Sequence, residues 1–169
     1  MNRRNLLYAS TGMLAVAAGG SALLRLLSVE PAKAETFEVT KTDAEWRKML
    51  TPDQYNILRE EGTEPPFSSP LLNEHRAGTF HCAGCDLALY SSKTKFDSGT
   101  GWPSFWEALP NAVGTKSDYA LLMERTEVHC RRCGGHLGHV FDDGPPPTGM
   151  RHCIDGLALN FKADNPKAS

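Results

Sequence analysis

The chain has 169 residues, of which 40% are hydrophobic and 22% are charged, a length and composition typical of one folded domain with a core. Its formal net charge of −2 argues against a nucleic-acid-binding surface as its main function.

The first 34 residues are predicted to be a signal peptide, which leaves 35–169 as a single domain. Arg3-Arg4 precede an apolar segment, and Ala32-Lys33-Ala34 matches a signal-peptidase cleavage motif. The paired arginines indicate export to the periplasm by the twin-arginine pathway, which carries folded proteins. The alternative is an uncleaved membrane anchor, although glycines and Arg25 interrupt an apolar run that is short for a bilayer. Cleavage would leave a formal charge of −5.

A short edge strand is expected at 36–40, followed by two short helices. The first helix has Thr42 as its N-cap, and the second begins at Thr51-Pro52 with threonine as its cap. The spacing of their apolar residues predicts one buried face on each helix, made of Trp46, Met49 and Leu50 on the first and of Tyr55, Ile57 and Leu58 on the second. Both helices are expected to cover one end of the core.

Short strands are predicted for the rest of the chain. Strand-like runs flank two Cys-x-x-Cys turns, at 77–81 and 87–90 around the first turn and at 126–129 and 136–141 around the second. Residues 119–123 are expected to form a further buried strand, and the proline-rich turn 142–149 leads to a last strand at Cys153. The sequence therefore indicates a mainly β core of antiparallel strands with short N-terminal helices.

Four of the five cysteines are predicted to bind one structural zinc ion. They form two Cys-x-x-Cys pairs, and four thiolates with this spacing are typical of a closed tetrahedral site, made here of Cys82, Cys85, Cys130 and Cys133. The alternative is a pair of disulfides, which an oxidising periplasm would favour in the absence of metal. His81 and His129 directly precede Cys82 and Cys130, but they are not expected to bind the metal because four sulfurs already complete the site.

Cys153 is the one cysteine outside these pairs and is a candidate nucleophile. Alternation along a strand would place Arg151, Cys153 and Asp155 on one face, where a nearby cation favours the thiolate. A buried, inert cysteine is the competing interpretation, and this segment alone does not separate the two.

Two histidines and a tryptophan favour the reactive interpretation. His136 and His139 each adjoin a glycine, an arrangement suited to accessible imidazoles. Strand alternation would put them on opposite faces unless a bulge intervenes, so His139 is the first candidate for proton transfer. Trp102 lies in a Gly-Thr-Gly-Trp-Pro loop and is a candidate wall for a methyl or thioether group.

Taken together, these residues resemble the B-type methionine sulfoxide reductases. The resemblance extends from about Trp46 to Phe161, and it rests on Cys-Ala-Gly-Cys at 82–85, Ser-Gly-Thr-Gly-Trp-Pro-Ser-Phe at 98–105, Cys-x-x-Cys-Gly-Gly-His-Leu-Gly-His-Val-Phe at 130–141 and Arg-His-Cys-Ile at 151–154. It implies two antiparallel sheets, a structural zinc ion, and reduction of the R epimer of methionine sulfoxide, free or in proteins, by an external thiol reductant such as a thioredoxin-like protein.

The resemblance also implies roles for individual residues. Cys153 would attack the sulfoxide sulfur and become a sulfenic acid, and His139, supported by His136, would protonate the oxygen. Trp102 would hold the substrate methyl group. Arg151 and Phe161 complete the expected substrate-binding set.

Two positions depart from the family pattern. Thr100 lies where many members carry a second cysteine that attacks the sulfenic acid, so a one-cysteine enzyme is expected. Asp155 lies where many carry asparagine; an aspartate can donate a hydrogen bond only when it is protonated. The sequence leaves open whether Asp155 is a raised-pKa catalytic residue or only orients a neighbour.

Two other functions are compatible with parts of the sequence. A zinc-ribbon binding module would need no reactive cysteine, and a thiol oxidoreductase would use metal-free Cys-x-x-Cys pairs. We expect a monomeric repair enzyme for oxidised periplasmic proteins, with no nucleic-acid partner and no stable membrane association after cleavage.

Overall fold

The computed structural model describes residues 36–119 and 124–164, so the predicted signal peptide lies outside the described residues. Two helices, α1 (Asp43–Met49) and α2 (Pro52–Glu60), precede the strands. The strands are β1 (Gly78–Cys82), β2 (Ala88–Ser91), β3 (Lys95–Phe96), β4 (Ser104–Phe105), β5 (Val113–Asp118), β6 (Arg125–Cys130), β7 (His136–Phe141), β8 (Arg151–Ile154) and β9 (Leu159–Ala163). Within the described ranges, neither helix is long and apolar enough to span a membrane.

The strands form two antiparallel sheets, as the predicted fold class requires. One sheet has the order β2-β1-β9, and the other has the order β3-β4-β8-β7-β6-β5. Aromatic rings join the sheets: Phe105 on β4 stacks on Tyr90 of β2 at 4.4 Å between centroids and meets Phe80 of β1 edge-on at 5.0 Å. All three side chains are fully buried, so the core lies between the sheets.

Both helices begin where the sequence predicts. The Thr42 and Thr51 side chains each accept a hydrogen bond from the backbone N–H three residues on, and Glu45 and Gln54 complete two capping boxes. Helix α2 buries Tyr55, Ile57 and Leu58 as expected.

Three local predictions differ from the structure. Residues 36–40 form no strand, because the only strand-like backbone hydrogen bond there joins Val39 N–H to the Arg132 carbonyl. Met49 is 56% exposed, since α1 ends at this residue and its buried face consists of Trp46 and then Leu50. Tyr119 is also exposed and lies after the end of β5, and the rest of the predicted strand 119–123 lies outside the described residues.

Candidate active site and metal centre

The four paired cysteines converge at one point between the two sheets. Their Sγ atoms all lie within 4.8 Å of one another, with 3.7 Å between Cys82 and Cys133 and 3.5 Å between Cys85 and Cys130. A zinc ion with Zn–S bonds of about 2.3 Å gives S···S edges of about 3.8 Å, so the set fits a tetrahedral metal ion. A disulfide would need about 2.05 Å, so these four cysteines form no disulfide and are arranged to hold a metal ion.

The same local geometry builds both metal-binding turns. The residue after each pair, Asp86 or Gly134, has a left-handed φ of 61° or 66° and donates its N–H to the carbonyl of the first cysteine at 2.8 Å. This closes each turn and directs both of its sulfurs to one side.

Neither neighbouring histidine belongs to this centre. His81 Nδ1 lies 3.0 Å from the Asp86 carbonyl oxygen, and the buried His129 ring meets Phe37 edge-on at 5.8 Å. The thiolate set is therefore the four cysteines that the sequence predicts.

Cys153 lies in the six-stranded sheet, between β4 and β7. It pairs with Ser104 on one side and with His139 on the other. Its Sγ is 3.9 Å from the Thr100 hydroxyl, which is 2.9 Å from the Ser98 hydroxyl. The side chain beside Cys153 is thus the Thr100 hydroxyl and not a second thiol, as the sequence predicts.

The protonation of Cys153 depends on opposing influences. Burial raises the pKa of the Cys153 thiol, whereas the Thr100 hydroxyl and the Arg151 guanidinium lower it. Negative charge on Asp155 raises it further. Formation of the thiolate is therefore favoured when the Asp155 carboxyl is neutral.

A cavity of about 140 Å³ opens at Cys153. It is lined by residues from several elements, namely Thr63, Trp102, Arg125, Gly138, His139, Phe141, Cys153 and Asp155. The volume suits the end of a side chain and is well below the volume of sites for whole drug-sized ligands. The Trp102 indole N–H donates to the Glu64 carbonyl at 3.1 Å, which fixes the aromatic wall.

His139 is held by Asp118, an acid that no sequence motif indicates. Its Nε2 lies 2.8 Å from Asp118 Oδ2, and Arg125 Nη2 lies 2.6 Å from the same oxygen. Because an ionised carboxylate only accepts hydrogen bonds, Nε2 carries a hydrogen. Burial lowers the pKa of His139, and Asp118 opposes this by stabilising the imidazolium.

His136 lies beside His139 and does not line the cavity. The pairing of β6 with β7 shifts register between Val128 and His129, and the two imidazole centroids are 5.4 Å apart. This bulge overrides the regular alternation that predicted opposite faces. His136 is buried, and its Nδ1 lies 3.1 Å from Glu127 Oε1. Burial raises the pKa of Glu127, but hydrogen bonds from His136 and Lys116 outweigh burial, so the pKa is lowered.

Asp155 lines the cavity but is almost completely shielded from bulk solvent, with 3% of its surface exposed. Its Oδ1 accepts the Glu64 backbone N–H at 2.9 Å. Burial raises the pKa of Asp155 to about 6. The sequence identified the residue; the structure adds the neighbour that holds it.

The two remaining predicted substrate residues lie outside the cavity lining. Arg151 forms a bidentate ion pair with Asp143, with both N···O distances at 2.8 Å, and acts on Cys153 through its charge. Phe161 lies in the other sheet, where its ring is 4.9 Å from that of Phe80. The structure therefore does not bring Phe161 to the site.

Four residues that no motif singled out also contribute to the site: Thr63, Glu64, Asp118 and Arg125. They lie in a loop after α2 and in the β5–β6 hairpin, far along the chain from Cys153. Only tertiary pairing places them there, because no local spacing connects them.

Fold and site together define a β protein with a tetrathiolate metal centre and a separate cavity in which a cysteine meets acid–base groups. A family model described as the SelR domain matches residues 50–163. The chain is 55% identical over 126 residues to the peptide methionine sulfoxide reductase MsrB of Agrobacterium fabrum, covering 74% of this chain and 93% of that protein. The MsrB of Methanosarcina barkeri is 53% identical over 127 residues, covering 75% and 89% respectively. The chain belongs to the B-type methionine sulfoxide reductase family.

Proposed function

We propose that this protein reduces the R epimer of methionine sulfoxide, free or in proteins, to methionine. The observation that carries the proposal is the joint presence of Cys153, Trp102, His139 and Asp155 around one small cavity. An aromatic wall suits a methylsulfinyl group, and the cavity accommodates a side-chain end. The relatives described above are named peptide methionine sulfoxide reductases, which supports methionine sulfoxide as the substrate.

The chemical step transfers the sulfoxide oxygen to Cys153. The thiolate attacks the sulfoxide sulfur, and overall one thiolate, one sulfoxide and one proton become a sulfenic acid and a thioether. His139 supplies the proton, since Asp118 supports its charged form at the cavity wall. The sulfoxide is reduced by two electrons and Cys153 is oxidised by two.

The sulfenic acid is resolved by thiols from outside the chain. Four cysteines are committed to the metal centre, and the hydroxyl of Thr100, which cannot form a disulfide, lies beside Cys153. Two external thiols convert the sulfenic acid to water and the Cys153 thiol, and they leave as a disulfide. This makes the protein a one-cysteine reductase.

The metal is one structural zinc ion per chain, held by Cys82, Cys85, Cys130 and Cys133. Zinc would supply a cross-link between the two sheets and no redox chemistry. A metal assay should return one zinc per chain. Removal of the zinc by a chelator should unfold the protein, whether or not Cys153 has reacted. Metal-free pairs that react as disulfides would instead favour a thiol oxidoreductase.

The protein acts in the periplasm after export by the twin-arginine pathway. Arg3-Arg4 and Ala32-Lys33-Ala34 support this assignment, and they lie outside the described residues. Repair of oxidised exported proteins would follow from this location. Fractionation of cells, with the paired arginines replaced by lysines as the comparison, tests it.

The decisive experiment measures turnover of both sulfoxide epimers by the protein and by Cys153→Ser. We expect reduction of the R epimer only, and its loss in the variant with the zinc content unchanged. A variant that keeps its activity would rule out Cys153 as the nucleophile. A protein inactive on both epimers with its zinc bound would favour the zinc-binding module.

A further inference from the structure

Asp155 has one carboxyl oxygen fixed by the protein and the other available to the cavity. Oδ1 accepts the Glu64 backbone N–H at 2.9 Å. Among the described residues, no hydrogen bond or ion pair engages Oδ2, although the side chain lines the same cavity as Cys153. Oδ2 is therefore the carboxyl oxygen that the described residues leave for a bound substrate.

A second buried carboxylate lies against Asp155. Glu64 is 4% exposed, and its two oxygens accept the backbone N–H groups of Gly156 at 2.6 Å and Leu157 at 3.0 Å. Within the described part of the chain, neither carboxyl forms an ion pair with a lysine or arginine. The charge of Glu64 adds to burial in raising the pKa of the Asp155 carboxyl.

The charged groups on the neighbouring strands do not neutralise the two carboxyl groups. On β7, His136 favours an ionised Asp155 but is itself paired with Glu127. Arg125 of β6 and His139 of β7 also line the cavity, and both are bound to Asp118. Cys153 on β8 would add negative charge as a thiolate.

Gly156 leaves room for Ser69 and the Glu64 carboxylate. A Cβ at this position would lie 1.8 Å from Ser69 Oγ and 3.2 Å from Glu64 Oε1, so a side chain would clash with Ser69 and crowd the Glu64 carboxylate. The turn that follows Cys153 is thus packed against Ser69 and bonded to Glu64.

We propose that Asp155 is held beside Glu64 as a neutral carboxylic acid and that its Oδ2–H donates a hydrogen bond to the sulfoxide oxygen. The inference rests on the proposed function. Asp155 keeps its proton throughout, so the balance of the oxygen-transfer step is unchanged. Ionisation of Asp155 would remove the donor, place a negative charge near the sulfoxide oxygen, and disfavour the Cys153 thiolate. Burial raises the pKa of Asp155 to about 6, so the neutral fraction falls about tenfold for each pH unit above this value.

The test compares single-turnover reduction by the full protein with reduction by Asp155→Asn, from about pH 5 to about pH 9. In the variant, the amide oxygen takes the Glu64 N–H and the amide NH2 replaces Oδ2–H as a permanent donor. We expect the ratio of variant rate to wild-type rate to rise at least tenfold between about pH 6 and about pH 8. Asp164→Asn, an exposed position outside the site, should give a constant ratio.

A pH-independent ratio for Asp155→Asn, with sulfoxide reduction intact, would overturn the inference and leave the proposed function standing. Absence of reduction by the wild-type protein would instead count against the proposed function. The two failures are therefore distinguishable.

A second measurement needs no activity. Infrared difference spectra of the substrate-free protein should contain a carboxylic-acid C=O band that disappears with a midpoint near pH 6 and is absent from Asp155→Asn. In Glu64→Gln the midpoint should shift to lower pH, because a neighbouring negative charge has been removed. The proposal fails if the wild-type spectra lack this band at about pH 5.

Discussion

At the scale of single residues, Thr100 decides how the oxidised Cys153 would be regenerated. Its Oγ1 is 3.9 Å from Cys153 Sγ, so a thiol placed there needs only a small movement to form a disulfide. With a threonine at this position, the sulfenic acid on Cys153 would be reduced by an external thiol; with a cysteine, it would be reduced by a thiol of the same chain.

Thr100→Cys should therefore create an internal resolving thiol. After one equivalent of sulfoxide, the wild-type protein should accumulate a sulfenic acid that a dimedone reagent traps, because no second thiol is near. The variant should instead form a disulfide between position 100 and Cys153, detected by mass spectrometry of the digest. Ser98→Cys, which is one hydroxyl further from Cys153, should remain trappable. Equal trapping of Thr100→Cys and the wild-type protein would contradict this prediction.

Asp118 controls the proton on His139. The carboxylate raises the pKa of the imidazole against the effect of burial, so Asp118→Asn should lower that pKa and reduce the imidazolium fraction at neutral pH. A loss of one pKa unit corresponds to about tenfold in this fraction and in the rate of reduction. NMR titration of the imidazole should follow the rate, with Asp53→Asn, an exposed position on α2, as the control. An unchanged His139 titration would remove Asp118 from this role.

At the scale of elements, the sequence predicts correctly those features that depend only on residues close together in the chain. The Thr42 and Thr51 caps and both Cys-x-x-Cys turns are set by neighbours within a few residues, and each formed where the sequence indicated. The β6–β7 bulge depends on how two strands align, which no single segment encodes. For the same reason, the contact between His139 and Asp118 of β5 could not be predicted.

The close approach of β7 to β8 requires a glycine at 138. Gly138 has φ 144°, and a Cβ there would lie 2.1 Å from the Cys153 carbonyl oxygen. Gly138→Ala should therefore strain the backbone and push β8 away, at a cost of about 3 kcal/mol in the free energy of unfolding.

Gly99→Ala is the matched control for this substitution. Gly99 also has a left-handed φ of 70°, but nothing lies within 4 Å of its added Cβ. Its cost should be the backbone preference alone, about 1 kcal/mol. Urea unfolding of both variants measures the difference in stability. Equal midpoints would show that the contact of the added Cβ with β8 does not cause the loss of stability.

At the scale of the whole molecule, the metal centre and the cavity belong to different parts of the fold. Cys82 ends β1 of the three-stranded sheet and Cys130 ends β6 of the six-stranded sheet, so a bound metal ion would join the sheets. Cys153 lies inside the six-stranded sheet, and Asp155 begins the turn toward β9. The sequence could predict both residue sets because each carries its own motif. It could not predict that Glu64 would link Trp102 to Asp155, because that link is made mostly by backbone groups.

The buried Asp155 should also make the stability of the molecule depend on pH. Its pKa is raised from 3.8 in the unfolded chain to about 6 in the fold, so the folded state binds more protons between these values. The free energy of unfolding therefore falls as pH rises from about 4 through about 6, by roughly 3 kcal/mol in total, and levels off above that range. Asp155→Asn lacks this dependence but keeps every other titrating group. The difference in the free energy of unfolding between the two proteins therefore reports Asp155 alone. Between about pH 5 and about pH 7, the wild-type protein should lose roughly 1.5 kcal/mol relative to the variant in urea unfolding, with zinc content measured at each pH. A difference that is flat with pH, or that moves in favour of the wild-type protein, would mean that Asp155 is ionised in the folded state throughout this range.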